Sequence, residues 1–298
     1  TDMIYFAVGK YGYSGGIIVS ASHNPREYNG LKMVREKAAA ISSDTGLFEI
    51  RDALKNGKIE KPTGKRGSLE KKDILEDYVE HVLNFIDKSS IKPFHFVGNG
   101  NFGFVKKPLE RIVDELGLTM IPLNLDPDGT FPKGSPDPLL PENRVETENL
   151  IKESNVDFGV AWDADADRVM FFDENGRFIQ GVYITALFAK IMLEKYGAKN
   201  KIIFDPRVIW PVRKTVVETG GEPIVSKSGH TFMKDRMRSE DALFAGELSG
   251  HYYFRDNFFA DNGIIPFLLV MEYLSATKKK FSEIMNTFIE GHYMSGEF

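Results

Sequence analysis

The chain has 298 residues, of which 42% are hydrophobic and 27% charged, and its formal net charge is −5 at pH 7. This composition predicts a folded globular protein of about two domains and excludes a wholly disordered or collagen-like chain. A mildly acidic chain lacks the basic surface of a nucleic-acid-binding protein, and its longest nearly apolar run, residues 263–274, is too short for a membrane span. Because the chain has no cysteine, disulfides, cysteine-ligated zinc and a cysteine nucleophile are excluded, and we expect a cytoplasmic location.

Short apolar strands alternate with segments of helical periodicity along the chain. In chain order, the predicted strands are residues 16–19, 94–97, 119–125, 158–162, 169–172, 201–204, 223–225 and 242–245. The predicted helices are residues 72–87, 108–116, 145–153, 183–194, 213–219, 232–238, 264–274 and 281–288. This alternation predicts an α/β fold of successive mixed, largely parallel sheet domains flanked by helices.

An acidic loop follows the predicted strand 158–162. Asp163, Asp165 and Asp167 occupy alternate positions directly after that strand. Hard cations such as Mg²⁺ prefer carboxylate oxygens, and open α/β sheets bind ligands at the carboxyl ends of their strands. Three carboxylates this close repel one another unless a cation or a donor compensates them. The pattern therefore favours a divalent-cation site over an acidic surface loop.

The same loop has a second interpretation as a calcium-binding EF-hand. With Asp163 at position 1, Glu174 falls at position 12, where such loops place a bidentate ligand. Position 6 requires glycine and is Arg168 here, and residues 169–172 form an apolar strand. These departures make the EF-hand the weaker interpretation.

A small polar segment, residues 20–25, follows the strand 16–19. Ser22 is a candidate nucleophile beside His23, although adjacent residues rarely form a serine–histidine catalytic pair and the Gly-x-Ser-x-Gly elbow is absent. From chemistry alone, a serine that caps a turn is an equal alternative. Lys32 lies shortly after, where its ammonium could meet a phosphate or be solvated.

Residues 98–103 have the spacing Gly-x-Gly-x-x-Gly between a predicted strand and a predicted helix, and Asp126 ends the next strand. This spacing matches the dinucleotide-binding fingerprint. The bulky Phe102 and residues 106–108, which delay the helix, argue against it. A tight strand–helix turn with no nucleotide is an equal interpretation of the pattern.

Three later strand ends also carry polar residues. Residues 246–251 include Glu247, Ser249 and His251, which together donate and accept hydrogen bonds as sugar hydroxyls require. The two preceding strand ends carry residues 227–230 and 205–207. Three such strand ends favour a shared cleft over a polar loop with a buried histidine.

Together these motifs resemble those of the α-D-phosphohexomutases, in the phosphomannomutase/phosphoglucomutase branch. The serine motif of that family corresponds to residues 20–25, its metal loop to residues 163–168 and its sugar loop to residues 246–251. The proline-rich residues 127–132 also resemble the family. The order and spacing of the motifs match over nearly the whole chain.

The resemblance implies an isomerase that carries Ser22 as phosphoserine. The catalytic residues that it implies are Ser22, His23, Lys32, Arg168 and His251. The ligands that it implies for one Mg²⁺ are a phosphoryl oxygen on Ser22 and the carboxylates of Asp163, Asp165 and Asp167. The substrate-binding residues that it implies are Arg207, Lys227, Gly229, His230, Glu247 and Ser249.

The implied reaction interconverts hexose 1-phosphate and hexose 6-phosphate, with mannose and also glucose as candidate sugars. Hexose 1,6-bisphosphate is the implied activating intermediate. Two other classes stay open: a Mg²⁺-dependent sugar phosphatase that uses the same serine and aspartates, and a non-catalytic binder of a dinucleotide or sugar phosphate at residues 98–103. We expect the chain to bind a small-molecule sugar phosphate and neither nucleic acid nor membrane. The sequence does not indicate the oligomeric state.

The resemblance also predicts the domain organisation. Residues 1–71 correspond to part of the domain with the phosphoserine loop, residues 72–176 to the domain with the metal loop and residues 177–298 to the domain with the sugar loop. The family's C-terminal phosphate-binding domain has no counterpart in this sequence, so we expect weak or absent turnover. Ala164 replaces the usual glycine of the metal loop, which predicts strain of roughly 1 kcal/mol if that position needs a positive φ.

Overall fold

The computed structural model describes residues 1–58 and 64–292. Within these ranges the strands form one two-stranded and two five-stranded sheets. Part of the charged stretch that predicts the first domain boundary, residues 59–63, lies outside the described residues, as do residues 293–298. No described helix has both the length and the apolar character needed to cross a bilayer.

The first 58 residues form a small sheet with one helix packed on it. Their elements are α1 (Asp2–Tyr11), β1 (Gly15–Val19), β2 (Leu31–Arg35) and α2 (Leu47–Lys55). β1 and β2 are antiparallel, and Ile18 pairs with Lys32 near the end of the ladder. The loop that joins these strands carries Ser22, so Ser22 and Lys32 lie at the same end of the sheet.

The second sheet has the strand order β4-β3-β5-β6-β7. Its strands are β3 (His95–Asn99), β4 (Thr119–Leu123), β5 (Phe158–Trp162), β6 (Val169–Asp173) and β7 (Phe178–Ile179). Its helices are α3 (Leu75–Leu83), α4 (Lys106–Leu116) and α5 (Pro141–Glu153). β3 runs parallel to β4 and β5, whereas β5, β6 and β7 are antiparallel. Every residue of β5 is buried, as expected for a central apolar strand.

The third sheet repeats this plan with the order β12-β11-β10-β8-β9. Its strands are β8 (Lys201–Phe204), β9 (Glu222–Val225), β10 (Phe244–Gly246), β11 (Tyr252–Phe254) and β12 (Ala260–Asp261). Its helices are α6 (Gly181–Tyr196), α7 (Ile209–Glu218), α8 (His230–Glu240), α9 (Ile264–Thr277) and α10 (Phe281–Ile289). β8, β9 and β10 are parallel and the remaining pairs antiparallel, so the α/β class with mixed sheets is confirmed.

An aromatic core joins the two larger sheets. Phe267 of α9 packs on Phe96 and Trp162 with ring centroids 5.0 and 5.7 Å apart. Phe188 of α6 packs on Phe171 and Tyr252 at 6.0 and 4.9 Å. Full burial of one such side chain contributes about 1.5–3 kcal/mol, so this contact fixes the two sheets against each other. The loop after Trp162 starts from this rigid region.

Most predicted elements are found, but α1, β2, α2, β7, β11 and β12 were not predicted, and the ends of several helices and strands differ. Residues 158–162 and 201–204 are strands as predicted, whereas the helix predicted over residues 72–87 extends only from Leu75 to Leu83. The helix predicted from Pro108 begins at Lys106, because proline fits the first turn, where backbone N–H groups have no intrahelical partner. β7 pairs with β6 just beyond the boundary predicted at residue 176, and the three-domain division stays a prediction.

Candidate active site

Three aspartates meet in the loop between β5 and β6. Asp163, Asp165 and Asp167 are 0%, 2% and 1% exposed, and one oxygen from each lies within 4.8 Å of the others. Both neighbouring strands are buried along their whole length, so the loop is held at both ends. The carboxylates therefore point into the protein rather than into solvent.

Backbone geometry explains why the aspartates converge. Ala166 has a φ of 57°, and its backbone N–H donates to the carbonyl oxygen of Asp163 at 3.1 Å, which closes a tight turn. The strain predicted for Ala164 is not found, since the described residues with positive φ include Ala166 and not Ala164. The left-handed residue of this loop is therefore an alanine two positions further along.

The glycine turn after β3, residues 98–103, packs against the backbone of the acidic loop. A Cβ on Gly103 would lie 2.3 Å from the carbonyl oxygen of Ala164, and the N–H of Phe104 donates to that oxygen at 2.9 Å. Asn101 donates to the carbonyl oxygen of Trp162 at 2.6 Å. These contacts account for the glycine spacing without a nucleotide.

Ser22 approaches the aspartates from the first sheet. Its Oγ lies 3.4 Å from Asp163 Oδ2, across 141 residues of sequence, and 3.1 Å from His23 Nδ1. Ser22 has a φ of 54°, a conformation that costs a non-glycine residue free energy. Ser20 Oγ accepts from the Ser22 N–H at 2.9 Å and donates to Asp165 Oδ2 at the same distance. The serine loop is thus fastened directly to the acidic loop.

Lys32 bridges two of the carboxylates. Its Nζ donates to Asp165 Oδ2 and to Asp167 Oδ2, at 2.6 Å each. Burial lowers the pKa of Lys32, but attraction to Asp167 and Asp165 outweighs burial and raises it above the ordinary value. Lys32 therefore stays charged and compensates part of the negative charge.

The three carboxyl groups do not share the same protonation behaviour. Burial raises the pKa of Asp163 to about 7, although Arg168 opposes the rise. Burial and repulsion from Asp167 also act to raise the pKa of Asp165, but Lys32 outweighs both and lowers it to about 2. The pKa of Asp163 is thus shifted upward and that of Asp165 downward, because burial dominates at Asp163 whereas Lys32 contacts Asp165 directly.

This donor set fits a hard divalent cation. Among the described residues, Asp165 Oδ1 is a buried oxygen without a hydrogen-bond partner. A buried carboxylate oxygen left unpaired is costly unless a ligand satisfies it. Ser22 Oγ is the fourth oxygen next to this group. The EF-hand is wrong, because Glu174 accepts hydrogen bonds from Ser282 of α10, outside the acidic loop.

Arg168 and His23 lie at the edge of the same site. Arg168 Nε donates to Asp163 Oδ2 at 2.9 Å, and its Nη1 lies 3.4 Å from Asp137 Oδ1. Its Nη2 is buried and has no hydrogen-bond partner among the described residues. His23 Nε2 lies 3.9 Å from Asp137 Oδ2, and burial lowers the pKa of His23. Arg168 thus keeps one N–H group available for an anion.

The loop after β10 adjoins the acidic loop through His251. His251 Nε2 lies 3.6 Å from Asp167 Oδ1, and its Nδ1 lies 2.9 Å from Ser249 Oγ. A β-bridge pairs Arg168 with His251, so the two loops are joined through their backbones as well. Burial opposes charge on His251, but the negative charges of Asp167 and Glu247 raise its pKa.

Glu247 is held by the protein itself. Its Oε1 accepts from the Gly229 N–H at 2.8 Å and its Oε2 accepts from Tyr253 Oη at 2.5 Å. Gly229 has a φ of 118°, which lets its N–H face the carboxylate. His230 lies close by, with its ring 6.3 Å from that of His251, and burial lowers its pKa to about 4.

Arg207 and Lys227 each contact a nearby side chain of the same matched segment. Arg207 Nη2 donates to Asp205 Oδ2 at 2.8 Å, and Asp205 Oδ2 also accepts from the Leu248 N–H at 3.1 Å. Lys227 Nζ lies 3.9 Å from the ring centroid of Phe232. Arg207 thus lies beside the loop that carries Glu247 and Lys227 packs on Phe232 of α8, while Lys32 and Arg168 contact the aspartates.

Sequence reasoning missed several residues of the site. Tyr253, Asp205, Ser20 and Thr1 position the functional side chains, and none belongs to the residues predicted to act. Ser20 and Asp205 are the two that the sequence could have indicated, because each lies two positions before a predicted site residue, Ser22 and Arg207. Tyr253 and Thr1 are recognisable only from their contacts in the structure.

Family models match three consecutive parts of the chain. They are those of phosphoglucomutase/phosphomannomutase alpha/beta/alpha domain I at residues 1–61, domain II at residues 76–176 and domain III at residues 180–291. Each five-stranded sheet lies almost entirely within one matched segment. The Ser22, Asp163 and Glu247 loops lie one in each.

Named mutases and a solved structure match this chain over 92–100% of its length. A phosphomannomutase of Vibrio cholerae is 47% identical over 92% of this chain, and one of Escherichia coli K12 is 43% identical over all of it. A solved phosphoglucomutase/phosphomannomutase family protein of Burkholderia thailandensis superposes with a TM-score of 0.86 at 30% identity, over 95% of this chain. The chain spans 60%, 66% and 62% of the lengths of these three proteins. By sequence and by fold, the chain belongs to the phosphoglucomutase/phosphomannomutase family.

Proposed function

We propose that this chain carries the phosphoryl-transfer site of a hexose phosphate mutase that converts hexose 1-phosphate into hexose 6-phosphate. The observation that carries the proposal is the approach of Ser22 Oγ to 3.4 Å from Asp163 Oδ2, between segments 141 residues apart. A serine held against three buried carboxylates suits a phosphorylated residue whose charge a cation compensates. Family membership supports the same reaction class.

Phosphoryl transfer is mostly a matter of position and charge. In the proposed step, the bond from phosphorus to Ser22 Oγ breaks while the 6-hydroxyl oxygen of the sugar bonds to phosphorus, and the proton of that hydroxyl passes by way of His251 to Ser22 Oγ. The resulting bisphosphate reorients, and its 1-phosphoryl group returns to Ser22 Oγ. The serine loop supplies position for this exchange, because Ser20 fixes both the Ser22 backbone and Asp165.

Asp163, Asp165 and Asp167 would hold a divalent cation, for which we propose Mg²⁺, together with an oxygen of phosphorylated Ser22. When bound, the cation supplies positive charge that stabilises the transferring phosphoryl group. Arg168 adds its unpartnered Nη2 on the same side. His251, which borders Asp167, is the group proposed to exchange a proton with the sugar hydroxyl, and the charged Lys32 is proposed to contact the transferring phosphoryl group.

The loop of Glu247 and Ser249 is the proposed sugar-binding side. Its geometry is set by Gly229 and Tyr253 before any sugar arrives, so little ordering is needed on binding. Lys227, Arg207 and His230 lie around it and offer donors to hydroxyl or phosphate oxygens. We propose mannose phosphates as substrates, because relatives that are 43% and 47% identical to this chain are named phosphomannomutases. The cytoplasm is the proposed location, as the absence of cysteine from the sequence predicts.

The deciding experiment follows phosphate on Ser22 and isomer in solution. The chain is incubated with hexose 1,6-bisphosphate, and intact mass is expected to rise by about 80 Da in the wild type and not in Ser22→Ala. Phosphorus NMR is then expected to show at most slow formation of mannose 6-phosphate from mannose 1-phosphate with the wild type and none with Ser22→Ala. Isomerisation by Ser22→Ala at the wild-type rate would overturn the proposal.

The same assay separates the alternatives. Release of inorganic phosphate without a sugar 6-phosphate would favour the phosphatase. A dinucleotide binder at residues 98–103 is disfavoured by their packing, because Gly103 lies against Ala164 and Asn101 against Trp162. NAD binding that survives loss of the aspartates would restore that alternative.

A further inference from the structure

Three buried polar side chains from the three matched segments form one hydrogen-bonded chain. Tyr78 Oη donates to Asp2 Oδ2 at 2.5 Å, and Asn262 Nδ2 donates to Tyr78 Oη at 3.1 Å. Asp2 lies in α1, Tyr78 in α3 and Asn262 directly before α9. They are 5%, 0% and 0% exposed. None of the three belongs to the candidate active site described above.

Each end of this chain of hydrogen bonds is fixed. Asn262 Oδ1 accepts from the N–H groups of Ile264 and Ile265, at 2.8 Å each, and so caps the start of α9. That arrangement leaves its Nδ2 to donate to Tyr78. At the other end, Asp2 begins α1, the helix that packs on the sheet whose loop carries Ser22. The network therefore ties the first sheet to both larger ones.

The residue beside Asp2 reaches the acidic loop. The backbone nitrogen of Thr1 donates to the carbonyl oxygen of Asp165 at 2.6 Å, and Thr1 Oγ1 donates to Asp165 Oδ2. Lys32 Nζ also donates to Thr1 Oγ1 at 3.3 Å. A shift of α1 along its axis would therefore move Thr1, and with it one carboxylate of the acidic loop.

We propose that Asp2, Tyr78 and Asn262 act as positioning residues, which set the placement of the Ser22 loop and of Asp165 relative to the other carboxylates. The inference deepens the proposed function and rests on it for its consequence in catalysis. Its structural content is independent of that function: removing one hydroxyl from Tyr78 should loosen the first sheet against the second.

The test uses the absence of cysteine from the sequence, which permits clean spin labelling. Cysteines replace the exposed Glu27, next to the serine loop, and the exposed Glu110 on α4, and a dipolar distance is measured between the labels. Tyr78→Phe is expected to broaden or shift that distance distribution. Tyr252→Phe, a buried tyrosine of the third sheet, is the matched control and should leave it unchanged.

Two further readouts distinguish positioning from general stability. Tyr78→Phe is expected to weaken Mn²⁺ binding by about fivefold, and Tyr252→Phe should not, even where both lower thermal stability equally. Asp2→Asn keeps an acceptor for Tyr78 and should preserve the distance, whereas Asp2→Leu should not; this pair decides the matter if Tyr78→Phe fails to fold.

An unchanged label distance in both Tyr78→Phe and Asp2→Leu would overturn the inference. The result would not touch the proposed function, because phosphate transfer through Ser22 is measured separately. Conversely, a wild-type chain whose Ser22 never takes up phosphate from hexose 1,6-bisphosphate but which shows the expected label distances would overturn the function and leave the positioning network standing.

Discussion

The acidic loop after β5 and the Glu247 loop after β10 lie side by side and differ in how their charges are satisfied. In the acidic loop a buried carboxylate oxygen of Asp165 has no partner within the described residues, and Ala166 adopts a left-handed conformation. In the neighbouring loop both oxygens of Glu247 accept hydrogen bonds from the protein. The first loop thus depends on a ligand for completion, whereas the second is preorganised. The predictions below test this difference.

The largest effect is expected from removing a carboxylate of the acidic loop. Asp165→Asn removes a negative charge from the proposed cation site and should weaken Mn²⁺ binding by at least about 100-fold. Electron paramagnetic resonance of free Mn²⁺ measures the change. Glu174→Gln, which alters an acid that bonds Ser282 instead, is the control and should change binding by less than about twofold. An equal loss of Mn²⁺ affinity in both variants would show that the acidic loop is not the cation site.

The next effect concerns pH and the buried carboxyl of Asp2. Burial raises the pKa of Asp2 to about 6, above its ordinary value of 3.8. The native state then binds more protons than the unfolded chain between these values, so Asp2 lowers stability as pH rises through that range, by up to about 3 kcal/mol. The Asp2→Asn variant has no titrating group at this position and should not lose stability in this way. Urea unfolding at pH 4 and pH 7 should show that the free energy of unfolding of the variant, relative to that of the wild type, is higher at pH 7 than at pH 4. The same difference at both pH values would contradict the effect of burial on Asp2.

A smaller effect is expected in the preorganised loop. Glu247→Gln replaces one of two accepting oxygens with an amide group that cannot accept, and it should lower the free energy of unfolding by about 1–3 kcal/mol. The Michaelis constant for sugar phosphate should rise with little change in Mn²⁺ binding. Tyr253→Phe, which removes the donor instead, is the paired control. Weakened Mn²⁺ binding in Glu247→Gln would contradict the claim that only the acidic loop depends on a bound cation.

The smallest effect separates the two alanines of the acidic loop. Ala164→Gly should destabilise the protein by about 1 kcal/mol, because it adds backbone freedom and removes a buried methyl group. In Ala166→Gly the relief of a left-handed alanine offsets these losses, so stability should change little. Urea denaturation of both variants measures the difference. Equal destabilisation would show that Ala166 bears no strain.

The sequence predicted the parts of this molecule that local pattern controls. The buried strand β5 and the acidic loop after it were predictable, because an apolar run that ends in alternating aspartates fits few other local structures. The helix over residues 72–87 was predicted too long, since its apolar stripe continues past Leu83 into a turn. Periodicity marks which residues are buried more reliably than it marks where a helix stops.

What the sequence could not supply is contact between distant segments. Asp2 and Tyr78 are 76 residues apart, and only the packing of α1 against α3 makes them partners. Tyr253 is only six residues from Glu247, yet its bond to Glu247 was not predicted either, because a tyrosine in a strand is an ordinary core residue. The condition for strain at Ala164, a positive φ, is not met, because the left-handed residue of the loop is Ala166.

The most direct measurement is anomalous diffraction from crystals of the Ser22-phosphorylated protein soaked in Mn²⁺. We predict one peak, about 2.1 Å from oxygens of Asp163, Asp165 and Asp167 and from a phosphoryl oxygen on Ser22. Asp167, His251 and Asp261 form a second group whose ligand atoms also lie within 4.8 Å of one another. A peak on that group, with the phosphate of Ser22 turned away from the three aspartates, would contradict the central claim.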